Sequence, residues 1–370
     1  MEFSVSKSDL VRELGLTQGV VERKTTIPIL SNILVETDQD QIWLTATDLE
    51  LGIRCACPAR VKKEGAGTVP ARRLLDYVRL LPDAEVQVKV AENHWASLVC
   101  GRSRTRIAGM SRESFPELPQ MPETLAEIPL SVLAQMIAST IFAISAEESR
   151  FTLNGALLIL RDTGLVMVAT DGHRLALTEK QIPLTGLNVA YRALLPKKAM
   201  SEIQKLASDD SSKQIEFSGN ENHLFFRIDK RLLLSRKLTG NFPDYERVLP
   251  KEHPHMVVVA RDELKAAIER VAQFADERSR AIRFQVVDGE VKIHSSLSET
   301  GESEESIPVE YQGESLEIGF NAGYLLEFLR AVPDEQVTFF FKDSHSAGEL
   351  RPQADGANVK YRYVVMPMRI

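Results

Sequence analysis

The chain carries one pattern three times. VPARRLLDYVRLLPDAEVQVKV (69–90), LPKKAMSEIQKLASDDSSKQIEFS (195–218) and FNAGYLLEFLRAVPDEQVTFFF (320–341) share an order rather than an identity. Each runs from an apolar residue to a helix-start residue, about three amphipathic turns, a break and a strand. The copies are offset by 126 and 125 residues, so the fold must accommodate three like units. Pro70 and Pro196 suit a first helical turn, where no amide partner is lost, and Asn321 can cap. Pro82 and Pro333 stop the first and third helices. One face of the first holds Leu74, Leu75, Val78 and Leu81. Met200, Ile203 and Leu206 mark that face in the second, and Tyr324, Leu325, Phe328, Leu329 and Val332 in the third.

A second helix recurs earlier in each unit, at SKSDLVREL (6–14), PLSVLAQMI (129–137) and ARDELKAAIERV (260–271), each after a short strand-like run. Strand pairs lie between the helices at 32–48, 154–171 and 281–296. Asp38 with Gln39, Asp162 with Gly164, and Asp288 with Gly289 fall at their hairpin turns. The pattern predicts an α+β chain of three units, 1–122, 123–250 and 251–370, each with two helices and about eight strands. Pro-rich polar linkers, LPQMPETLAE (118–127) and LPKEHPH (249–255), separate them. Within a unit the helix-and-strands half appears twice, which implies two outward-facing sheets around a helix pair.

Head-to-tail contacts between like units close into rings when the rotation allows. A unit of this size has a radius of gyration of about 14 Å and a diameter of roughly 35 Å. Three in a ring leave a hole of about 5 Å; six leave about 35 Å, against roughly 20 Å for a B-form duplex. One chain is too small to encircle DNA, whereas a head-to-tail dimer is not.

The net charge of −7 argues against coating nucleic acid by bulk charge, but leaves room for a local basic surface. Arg72, Arg73, Asp76 and Arg79 leave +2 on the polar face of the first repeated helix, and Lys197, Lys198, Glu202 and Lys205 leave +2 on the second. Glu327 and Arg330 cancel on the third, while Arg23 and Lys24 follow the first short helix. Lys24, Arg72, Arg73, Lys197 and Lys198 are the expected DNA-facing residues; weak phosphate contact without base readout suits a protein that moves along DNA. For a dimer contact, GRSRTR (101–106) offers Arg102, Arg104 and Arg106 on a strand, and SETGESEES (298–306) offers Glu299, Glu302, Glu304 and Glu305. Exposed ion pairs contribute only ~0–1 kcal/mol each, so an apolar core must accompany them, and Tyr77 and Phe274 are its candidates.

No apolar run approaches the ~18 residues of a membrane span, and the first ten residues lack a signal pattern. Cys55, Cys57 and Cys100 fit neither a disulfide framework nor a four-thiolate zinc site; they read as inert thiols of a reducing cytoplasm. Walker, GxGxxG, GxSxG and HExxH motifs are missing from the sequence. In ATDGHRLA (169–176), Asp171 and His173 suggest half of a catalytic or metal site. The counterpart ATDLELGI (46–53) keeps Thr-Asp and lacks the histidine. The shared pair therefore reads as a strand-end turn, and Gly172, His173 and Arg174 as a binding feature peculiar to the second unit. His253 and His255 flank a proline without a nearby Cys or acidic partner, a weak metal signal. The tail YRYVVMPMRI (361–370) is strand-like and then Met-rich, whereas a frayed tail would be polar. Exposed methionines make adaptable apolar surfaces.

These segments resemble the bacterial sliding clamp family, the β subunits of DNA polymerase III holoenzyme, across essentially the whole chain. The resemblance is carried by TTIPILSNILVE (25–36), VPARRLLDYVRLLP (69–82), FTLNGALL (151–158), VATDGHRLALTE (168–179), GNFPDYERVLP (240–250), IGFNAGYLLEFL (318–329) and VVMPMRI (364–370). It implies a six-domain ring, formed as a head-to-tail homodimer around double-stranded DNA, with no catalytic residues, cofactor or metal. Such a clamp tethers the replicative polymerase, and its partners include a clamp loader and other proteins carrying a short apolar clamp-binding motif, with no membrane. The implied motif pocket comprises Arg150, Leu153, Thr170, Gly172, His173, Arg174, Leu175, Pro243, Arg247, Val248, Asn321, Tyr324, Met366, Pro367, Met368 and Arg369. His345 stands where the resemblance leads one to expect an aliphatic pocket residue. Two other readings compete: an enzyme built on Asp171 and His173, and a site-specific DNA-binding regulator. The net charge and the lack of a recognition-helix cluster disfavour the regulator.

Overall fold

A computed structural model describes the chain except residues 23–24, 185, 188, 210–212, 298–300, 354–357 and 370. Arg23, Lys24, Glu299 and Ile370, singled out above, lie outside the described residues. The first repeat contains β1 (Glu2–Ser6), α1 (Lys7–Thr17), β2 (Asn32–Asp38), β3 (Gln41–Thr47), β4 (Leu51–Pro58), β5 (Arg60–Lys63), β6 (Ala66–Pro70), α2 (Ala71–Leu80), β7 (Glu85–Val90), β8 (Trp95–Cys100) and β9 (Ser103–Ala108). The second contains β10 (Ala126–Pro129), α3 (Leu130–Ala138), β11 (Gly155–Arg161), β12 (Gly164–Thr170), β13 (Arg174–Gln181), β14 (Tyr191–Pro196), α4 (Lys197–Asp209), β15 (Gln214–Gly219), β16 (His223–Ile228) and β17 (Arg231–Arg236). The third contains β18 (His255–Ala260), α5 (Arg261–Val271), β19 (Ala281–Val287), β20 (Glu290–Leu297), β21 (Gly301–Pro308), β22 (Leu316–Asn321), α6 (Ala322–Ala331), β23 (Gln336–Phe341), β24 (Gly348–Pro352) and β25 (Val359–Val365).

Local chemistry explains the helix ends. The Ser6 hydroxyl accepts the Asp9 amide to start α1, and the Asn321 side chain accepts the Gly323 and Tyr324 amides to start α6. Leu81 and Val332, each followed by proline, are extended, so α2 and α6 end there. Pro70 and Pro196 correct the expectation: they are not first-turn residues but the last residues of β6 and β14. Both strands lie at sheet edges, where a proline removes no ladder donor, and the helix begins one residue later.

Contacts divide the chain into two compact units, Met1–Ser131 with Lys198–Lys237, and Val132–Lys197 with Leu238–Ile370. Neither coincides with a repeat, because sheets run across repeat boundaries. The first unit holds a five-stranded sheet, β5-β1-β7-β8-β9, and an eight-stranded sheet, β10-β15-β16-β17-β4-β3-β2-β6. The latter is continuous because β17 of the second repeat pairs antiparallel with β4 of the first, Arg231 opposite Cys55 and Ser235 opposite Leu51. The second unit holds β14-β11-β12-β13-β25-β24-β23-β18 and a four-stranded sheet, β21-β20-β19-β22. Here β13 of the second repeat pairs antiparallel with β25 of the third, from Arg174 opposite Val365 to Lys180 opposite Val359.

In the first unit α1 and α2 bury Leu10, Leu14, Leu74, Leu75 and Val78 against Phe3, Val5, Ile33 and Val86. All three cysteines are buried, and burial, with Glu13 adding to it, pushes the Cys57 thiol up to about 12 and Cys55 higher. Glu13 is itself buried, taking Arg231 Nε at 2.9 Å, Arg231 Nη2 at 2.7 Å and Arg12 Nε at 2.9 Å, which fastens α1 to β17. Glu202 also departs from expectation: it is buried rather than on the polar face of α4, with Lys205 Nζ at 2.6 Å. Gly19 leaves room for its carboxylate, which occupies the space a Cβ there would need.

In the second unit a buried carboxylate ties the linker to the third repeat. Glu349 of β24 accepts Arg351 Nε and Arg362 Nη2, both at 2.7 Å, and Arg362 also donates to the Pro250 carbonyl at 3.0 Å. His253 lies 3.3 Å from Glu349 and packs on Phe340, while His255 stacks on Phe341. The two histidines are thus engaged in separate packing contacts. Burial raises the Glu349 carboxyl, but hydrogen bonds from Arg362 and Arg351 bring it net below the ordinary range. Unfolded, it titrates near ~4.3. Since the folded value is lower, its contribution is complete above the unfolded value and lost as pH falls through the folded one. Glu349→Ala is expected to cost about 3–5 kcal/mol in urea unfolding at neutral pH, because two guanidiniums lose their partner. Glu349→Gln removes this residue's share of the acid sensitivity.

Candidate functional site

The site begins where β12 turns into β13. The Thr170 hydroxyl donates to the Arg174 carbonyl at 2.6 Å and accepts the Gly172 amide at 3.1 Å. Asp171 Oδ1 accepts the His173 and Arg174 amides at 2.9 and 3.1 Å. Gly172 sits at φ +91°, and a Cβ there would lie 3.0 Å from Arg150 Nη1. The first repeat makes the same turn. The Thr47 hydroxyl donates to the Leu51 carbonyl and accepts the Leu49 amide, Asp48 Oδ1 accepts the Glu50 and Leu51 amides, and Leu49 stands at φ +77°. The shared Thr-Asp is therefore a turn device, built from side chains that satisfy local backbone groups.

The two turns differ in what they reach. Asp48 pairs through its second oxygen with Lys198 of α4. Asp171 Oδ2 takes Arg174 Nε at 3.0 Å, and Arg174 goes further. Its guanidinium is buried, bonds to Glu327 of α6, donates to the Phe142 carbonyl at 2.6 Å and lies 4.4 Å over the Tyr324 ring. Burial works against its charge, but Tyr363 and Glu327 hold its pKa above the ordinary arginine value. His173 stacks on the other partner of that guanidinium, Tyr324, at 6.4 Å between centroids. Both oxygens of Asp171 are engaged within its own turn, so the Asp171–His173 pair has no catalytic geometry.

Behind the turn lies an apolar cavity of about 160 Å³. Leu153, Thr170, Gly172, Arg174, Leu175, Pro243, Val248 and Met366, all expected from the sequence, line it together with Tyr245 and Val364. Val364 stands opposite Leu175 in the ladder, and Met366, two residues on, bonds its amide to the His173 carbonyl at 2.9 Å. Tyr245 comes from the short 3-10 turn Tyr245–Arg247. Neither Tyr245 nor Val364 was singled out from sequence; the available signals were the GNFPDYERVLP string and the alternation along β25. Arg150 donates to the Asp171 carbonyl at 2.8 Å and braces the turn. Arg247 is exposed and paired with Asp244. Asn321 caps α6 and donates to Ser279, so its polar groups serve the helix start. Pro367, Met368 and Arg369 line a different cavity, of about 500 Å³.

Arg72 and Arg73 are exposed on α2, with Arg72 3.6 Å from Asp76. Lys197 and Lys198 are exposed at the start of α4. Arg104 and Arg106 project from the exposed face of β9, with Arg106 5.0 Å over the Trp95 ring; Arg102 lies in the preceding turn, not on the strand as expected. Glu302 and Glu304 project from β21. Glu305 faces the other way and is held by Arg270 of α5 through two contacts of 2.7 Å. Tyr77 is partly buried against the first core, and Phe274 packs beside Gly301.

Three family models match the chain in order: the DNA polymerase III beta subunit N-terminal domain over 1–119, its central domain over 127–244 and its C-terminal domain over 246–369. The beta sliding clamp of Pseudomonas putida is 37% identical over 377 residues, covering 100% of both chains. That of Chlamydia pneumoniae is 33% identical over 371 residues, covering 100% of this chain and 99% of its own. A solved DNA polymerase III subunit beta from Pseudomonas aeruginosa, bound to griselimycin, superposes with a TM-score of 0.94 at 35% identity, covering 100% of each chain. Three repeated α+β domains, matched in order by three family models, define a chain of the clamp class. The chain belongs to the DNA polymerase III beta subunit family, the bacterial sliding clamps. Its function is that of a non-catalytic processivity factor: a homodimeric ring on duplex DNA that works with the replicative polymerase and the clamp loader.

Arg174 is the residue on which the site's geometry turns, and lysine cannot replace it. A single ammonium cannot meet Asp171, Glu327 and the Phe142 carbonyl at once or stack on Tyr324. Arg174→Lys is expected to lower stability by about 1.5–3 kcal/mol, read as a drop in the thermal unfolding midpoint.

Proposed function

We propose that the apolar cavity behind the 170–174 turn is the dock through which this clamp holds its partners, each inserting a short, extended apolar segment. The observation that carries this reading is the composition of the cavity. Leucine, valine, proline and methionine side chains form the walls, while Arg174 is held back by its own partners. Such a pocket suits apolar anchors. Val248 and Met366 remain half exposed at its mouth, which makes them the contacts most dependent on a ligand.

The same reading divides the chain into domains 1–122, 123–250 and 251–370. Arg72, Arg73, Lys197 and Lys198 face the DNA and supply a weak, sequence-blind field. The dimer forms where β9 of one protomer meets β21 of its partner. Both are edge strands with unpaired backbone groups, one presenting Arg104 and Arg106 and the other Glu302 and Glu304. Arg102 extends that charge pattern, Tyr77 and Phe274 supply apolar contact, and Glu305 supports β21 from within through Arg270. No described helix is long and apolar enough to cross a membrane; the working compartment of this reading is the cytoplasm, at the nucleoid.

Val248→Asp is expected to weaken binding of a fluorescent apolar peptide at least about tenfold by anisotropy, since a carboxylate would enter an apolar wall. The unfolding midpoint should stay within error, and undiminished affinity would refute the dock. Arg104→Glu places like charges on facing edges. It should raise the monomer fraction in sedimentation velocity, more so at low salt.

A further inference from the structure

Residues 238–255 cross one face of the sheet that contains β13, β25 and β24. Phe242, Tyr245 and Leu249 pack there with a core that includes Leu175, Leu177 and Val364. Pro243, Tyr245 and Val248 of the same segment form one wall of the apolar cavity. Beyond Val248 the segment has less support. Among the described residues, no bond between main-chain groups holds 249–254. Its ties come from side chains. Glu252 meets Lys342 at 2.8 Å, an exposed pair that contributes little. His253 accepts Arg351 Nη2 at 3.1 Å, and the Pro250 carbonyl accepts Arg362 Nη2 at 3.0 Å.

The strand register puts that last tie beside the cavity. Val364 stands opposite both Leu175 of β13 and Glu349 of β24, and opposite residues share a face. Arg362, two residues before Val364, lies on that face too. It therefore reaches from the strand under the cavity to the segment that walls it. Buried Glu349 fixes the guanidinium, accepting Arg362 Nη2 and Arg351 Nε at 2.7 Å each. A planar arginine fork holds a carboxylate and a carbonyl at once. Pro250 is two residues from Val248, at most about 7 Å along the chain, so displacement of its carbonyl is passed to the wall. Arg362 and Glu349 themselves stand outside the cavity lining.

We propose that Arg362 is a positioning residue for the dock. Seated on Glu349, it fixes the Pro250 carbonyl and with it the wall of Pro243, Tyr245 and Val248, without meeting the docked segment. This rests on the apolar cavity being the dock. Without the tie, the wall is formed only part of the time, and apparent affinity falls by that fraction. The loss is common to every apolar segment, because it arises in the wall and not in a contact to the ligand.

The test uses Arg362→Lys in the full-length dimer, which keeps a cation beside Glu349 and removes the fork. Anisotropy of a fluorescent apolar peptide should show binding about three- to tenfold weaker. Hydrogen exchange over 246–252 should quicken, while that over 174–180, in the β13–β25 ladder, stays unchanged. Arg362→Met combined with Glu349→Gln leaves no carboxylate unpaired and should repeat both effects, should the lysine variant fail to fold. Glu13→Gln disturbs the buried carboxylate that Arg231 holds in the first unit, and should leave peptide affinity as it is. Equal weakening by Glu13→Gln would mark a general loss of stability and overturn the positioning role. Wild-type affinity in a variant whose 246–252 segment exchanges faster would overturn it too, as would no change in either readout. A peptide that does not bind the wild type, or binds equally after Val248→Asp, removes the dock itself and this proposal with it.

Discussion

The apolar cavity depends on the antiparallel pairing of β13 with β25, in which Arg174 through Lys180 meet Val359 through Val365. That ladder joins residues 179 to 191 positions apart and brings the tail alongside the 170–174 turn. Every pocket residue on these strands takes its facing from the register. A slip of β25 by one residue would turn Val364 away from the cavity and bring Tyr363 toward it. The Tyr363 hydroxyl, donating to the Tyr324 carbonyl at 2.9 Å, and the Tyr361 hydroxyl, donating to the Ser139 carbonyl at 2.8 Å, oppose such a slip. The first unit uses the same solution, with β17 on β4 and the Arg236 amide on the Glu50 carbonyl, where the second has Met366 on His173.

Charge placement then distinguishes the two Thr-Asp turns. Both units contain a buried carboxylate held by arginine, Glu13 with Arg231 and Glu349 with Arg362, and both fix elements distant in sequence. Such pairs add specificity of geometry more than net stability, since each ion surrenders its hydration. In the first repeat Asp48 of the turn pairs directly with Lys198 of α4. In the second, Arg174 replaces that direct contact. It lies beneath Tyr324, reaches Glu327, and leaves small Gly172 at the mouth where the first repeat has Leu49. An apolar space remains on one side of a rigid polar frame, which is the arrangement a short apolar segment requires.

Much of this was legible because it is local. The six helices among the described residues follow from apolar spacing and from caps and prolines within a few residues, and Asn321, Pro82 and Pro333 behave as their chemistry dictates. The comparison of ATDGHRLA with ATDLELGI marked the shared Thr-Asp as a turn, and both copies form it. Eight of the residues lining the apolar cavity were expected, mainly from the resemblance to the clamp family. What the sequence concealed was pairing. Nothing in β4 or β17 states that they are partners, so the continuous sheets and the division into units that cut the second repeat could not be foreseen. Glu202 misled because its helical position looks polar, while the space beside Gly19 that receives it is distant in sequence. Tyr245 and Val364 escaped because their facing depends on a turn and a register that only the fold supplies.

The central claim is that topology, rather than phosphate or base contacts, holds this protein on DNA. The direct measurement is retention on a nicked circular plasmid, after loading with a clamp loader and ATP, by gel filtration before and after linearisation with a restriction enzyme. A ring that encircles DNA stays with the circle and is lost from the linear form. Equal retention on both, or none on the circle with a loader of proven activity, would contradict encirclement.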